Sequence, residues 1–360
     1  MIFIDFFVLS AARKFNIAYA ILVLLAYTSV LISPGLFWPA TFIALLVPLI
    51  ILLEFSRLVY LLSKQSRHFV FPLGLILLGF PFIKATFPIF QDRSERDKKD
   101  FSVLSYNARI FNLYENKPVL SEEMIKWSAA HSADIKCFQE YYNLDNDLIF
   151  GTTKRLSHKG EWYHFIQPAV VNRIGAEFGL AIFSKYPIVA RGMIDIKKQS
   201  TNSAIFADIA IGKDTVRVIN VHLQSIGFTD ADFAINPKQK MAGIKNIIEK
   251  LKIGFIGRDK QLKKLEVYLE KSKYPVIICG DFNDTPYSYS YFKFKRYLQN
   301  AFEEKGKGLG FSYNGTLSFL RIDHQFFSED IEITDFKTEL ETKFSDHFPI
   351  LAGYKLKKQP

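Results

Sequence analysis

Between Phe15 and Leu53 the chain carries no Asp, Glu, Lys or Arg, a run roughly twice the 20 apolar residues that one membrane-spanning helix needs. Ser33-Pro34-Gly35 interrupts the run and Pro39 follows, residues that do not sit in a helix interior. The pattern predicts two helices joined by a tight turn, near Phe15–Ile32 and Trp38–Leu62. A third apolar stretch, near Phe69–Phe90, contains Lys84 together with Pro72, Pro81 and Pro88. It reads either as a third span, with Lys84 snorkelling from near a helix end, or as an interfacial or re-entrant segment. A cleaved signal peptide fits poorly, because Asp5 lies in the leader and a second span follows at once. Residues 1–90 are therefore expected to form a membrane anchor with two or three transmembrane helices. Residues 91–100 read as a charged linker.

From Phe101 the pattern changes to short apolar bursts, each ending in a chemically competent side chain. Phe101–Asn107 ends in an amide, Asp134–Glu140 in an acid, and Val216–His222 in an imidazole. Val276-Ile277-Ile278-Cys279-Gly280 delivers Asp281 and Asn283 before Pro286, and Phe319–Asp323 and Phe344-Ser345-Asp346-His347 follow. Residues i and i+2 share a face of an extended segment, so Asp281 and Asn283 are expected side by side. Between these bursts, Glu122–Ser132 reads as a short helix. Ser203–Ala210 and Val216–His222 read as an antiparallel pair. Pro237–Lys273 reads as basic and helical, with a break at Gly254–Gly257 and apolar stripes at Ile244, Ile248 and Leu251 and at Leu262, Leu265 and Leu269.

The order of these strand ends resembles the endonuclease/exonuclease/phosphatase superfamily of DNase I-like nucleases, inositol polyphosphate 5-phosphatases and neutral sphingomyelinases. Gln139-Glu140, Gly280-Asp281-Phe282-Asn283 and Ser345-Asp346-His347 carry the resemblance, which runs from about Phe101 to Tyr354. It implies a four-layer α/β/β/α sandwich over residues 101–360, an α/β catalytic domain preceded by the transmembrane helices. It also implies an Mg²⁺ site (Mn²⁺ as a substitute) with Glu140 as principal ligand, Asn107 beside it through its amide oxygen, and Asp346 closing it. Asp281 and Asn283 match the pair that orients and activates water, His347 the phosphate-contacting imidazole, Asp323 its carboxylate partner, and His222 a second histidine. His324 stands where the family commonly has an aromatic residue. Arg173, Lys185, Arg258 and Arg321 are looser candidates for phosphate contact.

This makes the expected activity metal-dependent hydrolysis of a phosphodiester, either nucleic acid or a phospholipid in the manner of a sphingomyelinase-like phospholipase C. A catalytically silent domain tethered for binding is a third reading, disfavoured by the full set of polar residues. The lipid bilayer is the expected partner of the N-terminal helices, and no obligate protein partner is evident. The formal net charge is +10, and part of it flanks the apolar runs at Arg13, Lys14, Arg57, Lys64 and Arg67. By the positive-inside rule these flanks are cytoplasmic, so the catalytic domain of this integral membrane protein is extracytoplasmic with three spans and cytosolic with two. The lysines of 238–273 suit a solvated helix face, a lipid surface or a polyanionic substrate. Cys137 and Cys279, the two cysteines, read as buried core thiols.

Overall fold

The computed structural model describes residues 2–88, 99–115, 117–197, 200–228, 232 and 240–357. Most of the expected linker, residues 91–98, lies outside them, as do the first residues of the expected basic helix.

The N-terminal apolar region is helical but more broken than its composition predicts. α1 spans Ile2–Ser29, and the short α2 (Pro34–Phe37) forms the turn. The second apolar helix is split into α3 (Pro39–Leu45) and α4 (Val47–Ser63), bent by 42°. Pro48 lies in the first turn of α4, where it has no N–H to give and its ring crowds the carbonyl four residues back. The third stretch bends by 60° between α5 (Val70–Leu78) and α6 (Phe80–Thr86), at Gly79-Phe80-Pro81. Among the described residues no single helix is long and apolar enough to cross a membrane; each bent pair reaches that length and apolarity only when its two helices are taken together, as a broken span or a re-entrant loop would.

The remainder is built on two six-stranded mixed sheets. The strands of the first are β1 (Phe101–Asn107), β2 (Ile135–Asn143), β3 (Tyr163–Val171), β4 (Glu177–Ser184), β11 (Ile331–Thr338) and β12 (Ile350–Leu356), in the order β11-β12-β1-β2-β4-β3. The second holds β5 (Ile188–Ile194), β6 (Ala204–Ile211), β7 (Asp214–His222), β8 (Val276–Asp281), β9 (Gln299–Asn300) and β10 (Asp323–Phe327), in the order β5-β6-β7-β8-β10-β9. A strand covered on both faces reads as a continuous apolar run, with alternate side chains entering different cores. Val103, Cys137, Ile277 and Cys279 meet between the sheets. Tyr106 and Phe138 face outward onto Met124 and Ile125 of α7 (Pro118–Ala130). Ile219 and Ile278 face outward onto Leu262, Leu265 and Leu269 of α9 (Lys240–Glu270), which follows the short α8 (Thr152–Leu156). Three cores between four layers make an α/β/β/α sandwich.

One expectation changes here. α9 runs unbroken through Gly254 and Gly257; there the missing side chains let Ile226 and Gln224 pack close, since an added Cβ would fall 3.1 Å and 2.8 Å from them. The cysteines are free and fully buried, as expected.

The apolar helices pack onto this sandwich. Ser33 Oγ donates to Asp259 of α9 at 2.9 Å, and the Phe42 ring of α3 meets Phe255 edge-on at 5.7 Å. At the other end of the region, Lys84 pairs with Glu304 at 2.7 Å and Thr86 shares a 2.7 Å hydrogen bond with Tyr287.

Candidate active site

The strand ends converge on one rim because of how the strands pair. β1 and β2 are parallel and in register at Asn107 and Gln139. β7 and β8 are parallel with His222 beside Asp281, and antiparallel β10 begins with Asp323 opposite Asp281. The Ser345–His347 segment precedes β12, which runs antiparallel to β1. Beneath the rim a buried amide pair joins the sheets: Gln139 Nε2 donates to Asn220 Oδ1 at 2.6 Å, and Asn220 Nδ2 to the Phe138 and Ala181 carbonyls.

Two of these ends depend on unusual backbone. In β2 the register slips between Phe138 and Tyr141, so Gln139 and Glu140 form a bulge, with Glu140 at φ 47°. A non-glycine residue in this region is strained, and bulges re-aim side chains. Here the bulge turns Glu140 into the cleft, 36% exposed. β8 ends at Asp281, and Asn283 lies beyond it in a left-handed turn at φ 51°. The closeness of Asp281 and Asn283 is thus made by a turn, in which Asn283 N donates to Asp281 Oδ1 at 2.8 Å, and not by a shared strand face. Gly280 precedes them at φ 144°, where a Cβ would lie 2.0 Å from the Val221 carbonyl oxygen.

The side chains form one connected network. Asn107 Nδ2 donates to Asp281 Oδ2 at 3.0 Å and to Glu140 Oε1 at 3.3 Å, while its oxygen accepts from Arg109 N at 3.1 Å. The amide therefore holds two carboxylates on its donor side, and its oxygen faces the backbone instead of Glu140. His222 Nε2 lies 3.8 Å from Glu140 and 3.7 Å from Asp281. His347 Nε2 lies 3.7 Å from Asp281, and its Nδ1 meets Asp323 Oδ2 at 2.9 Å. Asp323 is positioned by Ser312 Oγ, which accepts from the backbone N–H groups of Ile322 and Asp323.

Burial disfavours the charged form of His347, but the Asp323 and Asp281 carboxylates outweigh it and hold the imidazole up at about 10. Burial pushes the Asp323 carboxyl up, against the pull of His347. The site thus keeps an imidazolium at neutral pH among buried carboxylates. Asp281, Asp323 and His347 offer ligand atoms all within 4.8 Å of one another.

The Endonuclease/Exonuclease/phosphatase family model matches residues 104–347. The chain belongs to this family. A second model, Domain of unknown function (DUF8431), matches residues 6–86, so the apolar helices and the sandwich are separately recognisable units. No curated protein matches the chain. Among solved structures, the human Nocturnin catalytic domain is 17% identical over 72% of this chain and 96% of its own, with a TM-score of 0.50. A Leptotrichia buccalis endonuclease/exonuclease/phosphatase family protein is 15% identical over 71% and 100%, with a TM-score of 0.52. A functionally unknown conserved protein from Enterococcus faecalis gives 17%, 71%, 99% and 0.51. At such identities these likenesses speak for the fold alone. A hydrolase acting on phosphoesters is what membership in the family indicates.

Within this family member Asn107, Glu140, His222, Asp281, Asp323 and His347 contact one another directly. Asn283 joins through the Asp281 turn. Asp346 joins through Ser345, whose hydroxyl donates to the Asn107 carbonyl at 2.9 Å, and through Arg109, 3.6 Å away. The loose cationic candidates do not gather here. Lys185 pairs with Asp134, beyond the start of β2 at the opposite rim. Arg258 is buried against Asp284, and Arg321 bonds the Leu309 and Ala85 carbonyls. Arg173 is exposed on the β3–β4 turn. His324 is a core residue: burial pushes it down to about 3, and Nε2 bonds the Asp284 carbonyl. Sequence reasoning missed Arg109, Ser312 and Asn220, whose roles come from partners far away in the chain.

Proposed function

We propose that this chain is a membrane-anchored, Mg²⁺-dependent phosphodiesterase whose metal is held at Glu140. The observation that carries this reading is the β2 bulge, which turns the part-exposed Glu140 carboxylate to the rim beside the buried Asp281, the two sharing the Asn107 amide. Mg²⁺ takes oxygen ligands, keeps several waters and commonly uses one or two carboxylates. Glu140, 36% exposed, and Asp346, 30% exposed, supply part-exposed carboxylates of the kind such an ion takes. The buried Asp281–Asp323–His347 trio fits it poorly. Those side chains are 2–7% exposed, whereas Mg²⁺ keeps several waters, and the third member offers an imidazole nitrogen where Mg²⁺ takes oxygen. When bound, the metal would neutralise phosphoryl charge and orient the ester.

The protein's own groups then divide the remaining work. Asp281, fixed by Asn283 N and Asn107, accepts a proton from the attacking water. Asn283 holds the turn that aims Asp281. His347, kept cationic by Asp323, donates to a phosphoryl oxygen as charge builds in the transition state. His222, between Glu140 and Asp281, contacts the same group. For the full chain in detergent, EDTA is expected to abolish turnover of bis-p-nitrophenyl phosphate and Mg²⁺ or Mn²⁺ to restore it. Undiminished turnover in chelator would contradict the proposal.

The anchor reading is supported by the exposed apolar faces of the N-terminal helices, including Leu22 at 63%, Leu52 at 63% and Val59 at 66%, since a contiguous apolar surface of this kind needs a cover. Contact parity supports three passes. Both the first turn, through Ser33, and the end of α6, through Thr86, touch the catalytic domain. Two passes would leave the first turn and the domain on opposite sides of the bilayer. With Lys14, Lys64 and Arg67 cytoplasmic, the domain faces outward, which favours a phospholipid diester over cellular nucleic acid. A C-terminal alkaline-phosphatase fusion after Pro360 is expected to be active; an inactive fusion beside a fluorescent cytoplasmic one overturns the three-pass reading.

A further inference from the structure

The two halves of α9 meet the rest of the domain differently: the N-terminal half makes polar contacts such as Lys250 Nζ to the Gly227 carbonyl at 3.1 Å and to Asp232 at 2.7 Å. Leu262, Leu265 and Leu269 bury its C-terminal part on the second sheet, whereas residues 241–249 are exposed on nearly every side. Along this projecting part Met241, Ile244, Ile248, Leu251 and Phe255 recur at i, i+3, i+7, i+10 and i+14, a single stripe on a helix. Met241 is 79% exposed, Ile244 43% and Ile248 40%. The last member of the stripe shows which way it looks: Phe255 is buried against Phe42 of α3. One turn further, Asp259 takes the Ser33 hydroxyl. The exposed stripe therefore runs on, without a change of face, from the surface that receives the N-terminal helices.

The surroundings match one kind of cover. In the adjoining turn Leu36 is 84% exposed. Lys252 Nζ lies 5.3 Å above the Trp38 ring, a pairing of residue types typical of a membrane–water interface. Between residues 240 and 264 the helix carries Lys240, Lys245, Lys250, Lys252, Lys260, Lys263 and Lys264 against Glu249 and Asp259. An apolar stripe flanked by lysines is the pattern of a helix that lies in the headgroup–acyl boundary.

We propose that the N-terminal half of α9 is a second membrane-contact element, seated on the phospholipid surface around α1–α6 with Met241, Ile244 and Ile248 in the boundary layer. This rests on the membrane-anchor reading and adds to it a surface contact made by the catalytic domain itself. A soluble partner on this stripe would occupy the space that the anchor reading assigns to the bilayer. The contact bears on the active site: Arg258 of the same helix pairs with Asp284 at 3.1 Å and donates to the Gln224 carbonyl at 2.8 Å. Seating α9 thus sets the distance from the bilayer of the chain segments that follow His222 and Asn283.

The test uses the full chain with one added cysteine, since Cys137 and Cys279 are fully buried. Ile244→Cys, Ile248→Cys, Ala242→Cys and Leu52→Cys are labelled with an environment-sensitive fluorophore and reconstituted into phosphatidylcholine–phosphatidylglycerol vesicles containing a nitroxide-labelled lipid. Quenching at positions 244 and 248 is expected to exceed that at 242, on another face, by about threefold, with position 52 quenched in every case. Quenching at 52 but no excess at 244 and 248 overturns the α9 contact and leaves the anchor intact. A blue-shifted but unquenched signal at 244 and 248 also overturns it, in favour of a protein cover. No quenching at 52 removes the anchor reading and this proposal with it.

Discussion

Replacing Asp281 with asparagine is expected to lower kcat by about 10³-fold, the scale of a lost general base. Asp281 is 2% exposed at its side chain and lies 3.7 Å from both His222 and His347, so its charge serves both imidazoles as well as the water. The substitution keeps the volume and one bond, because the new amide oxygen still accepts from Asn283 N. On the other side it sets one NH₂ against another, where Asn107 Nδ2 now donates at 3.0 Å. That mismatch costs about 1–3 kcal/mol of stability, which urea unfolding would register separately from kcat. The Mn²⁺ affinity should stay near that of the wild type. A variant within about tenfold of wild-type kcat would remove Asp281 from the proposed role.

His347→Ala is expected to lower kcat by about 10²- to 10³-fold, as loss of a preorganised donor to a developing oxyanion does. The alanine leaves Asp323 buried and unpaired, and breaking a buried pair costs about 3–5 kcal/mol, so His347→Gln serves as the second variant. Glutamine keeps a donor but not the charge. It should therefore fold better than the alanine variant and still lose most of the rate. If the glutamine variant turned over at the wild-type rate, the imidazolium would have no part in charge stabilisation.

What the chain revealed in advance was set by local patterns. Each strand end was visible because an apolar burst stops at a polar residue, and the two-face burial of β1, β2 and β8 shows in runs such as Val276–Cys279. The resemblance to the family then assembled those ends into one rim. Features that depend on register were hidden. The bulge at Gln139–Glu140 comes from the pairing of β2 with β4, and the left-handed turn at Asn283 replaces the strand geometry that simple alternation suggests. Gly254 and Gly257 looked like a helix break because glycine is a poor helix former; tertiary packing on Ile226 and Gln224 uses the missing side chains instead. The bends near Pro48 and Pro81 were written in the prolines, but an apolar run reads as straight when only hydropathy is followed. Lys185 sat next to a strand end in sequence, yet at the wrong end of that strand.

The location of the metal is the point on which the account stands. Mn²⁺ binding to the EDTA-stripped full chain, followed by electron paramagnetic resonance, compares Glu140→Gln with Asp323→Asn. Glu140→Gln is expected to weaken Mn²⁺ binding by about 100-fold, while Asp323→Asn leaves it nearly unchanged. The reverse order, with binding lost in Asp323→Asn and kept in Glu140→Gln, would put the ion among Asp281, Asp323 and His347 and contradict the proposed centre.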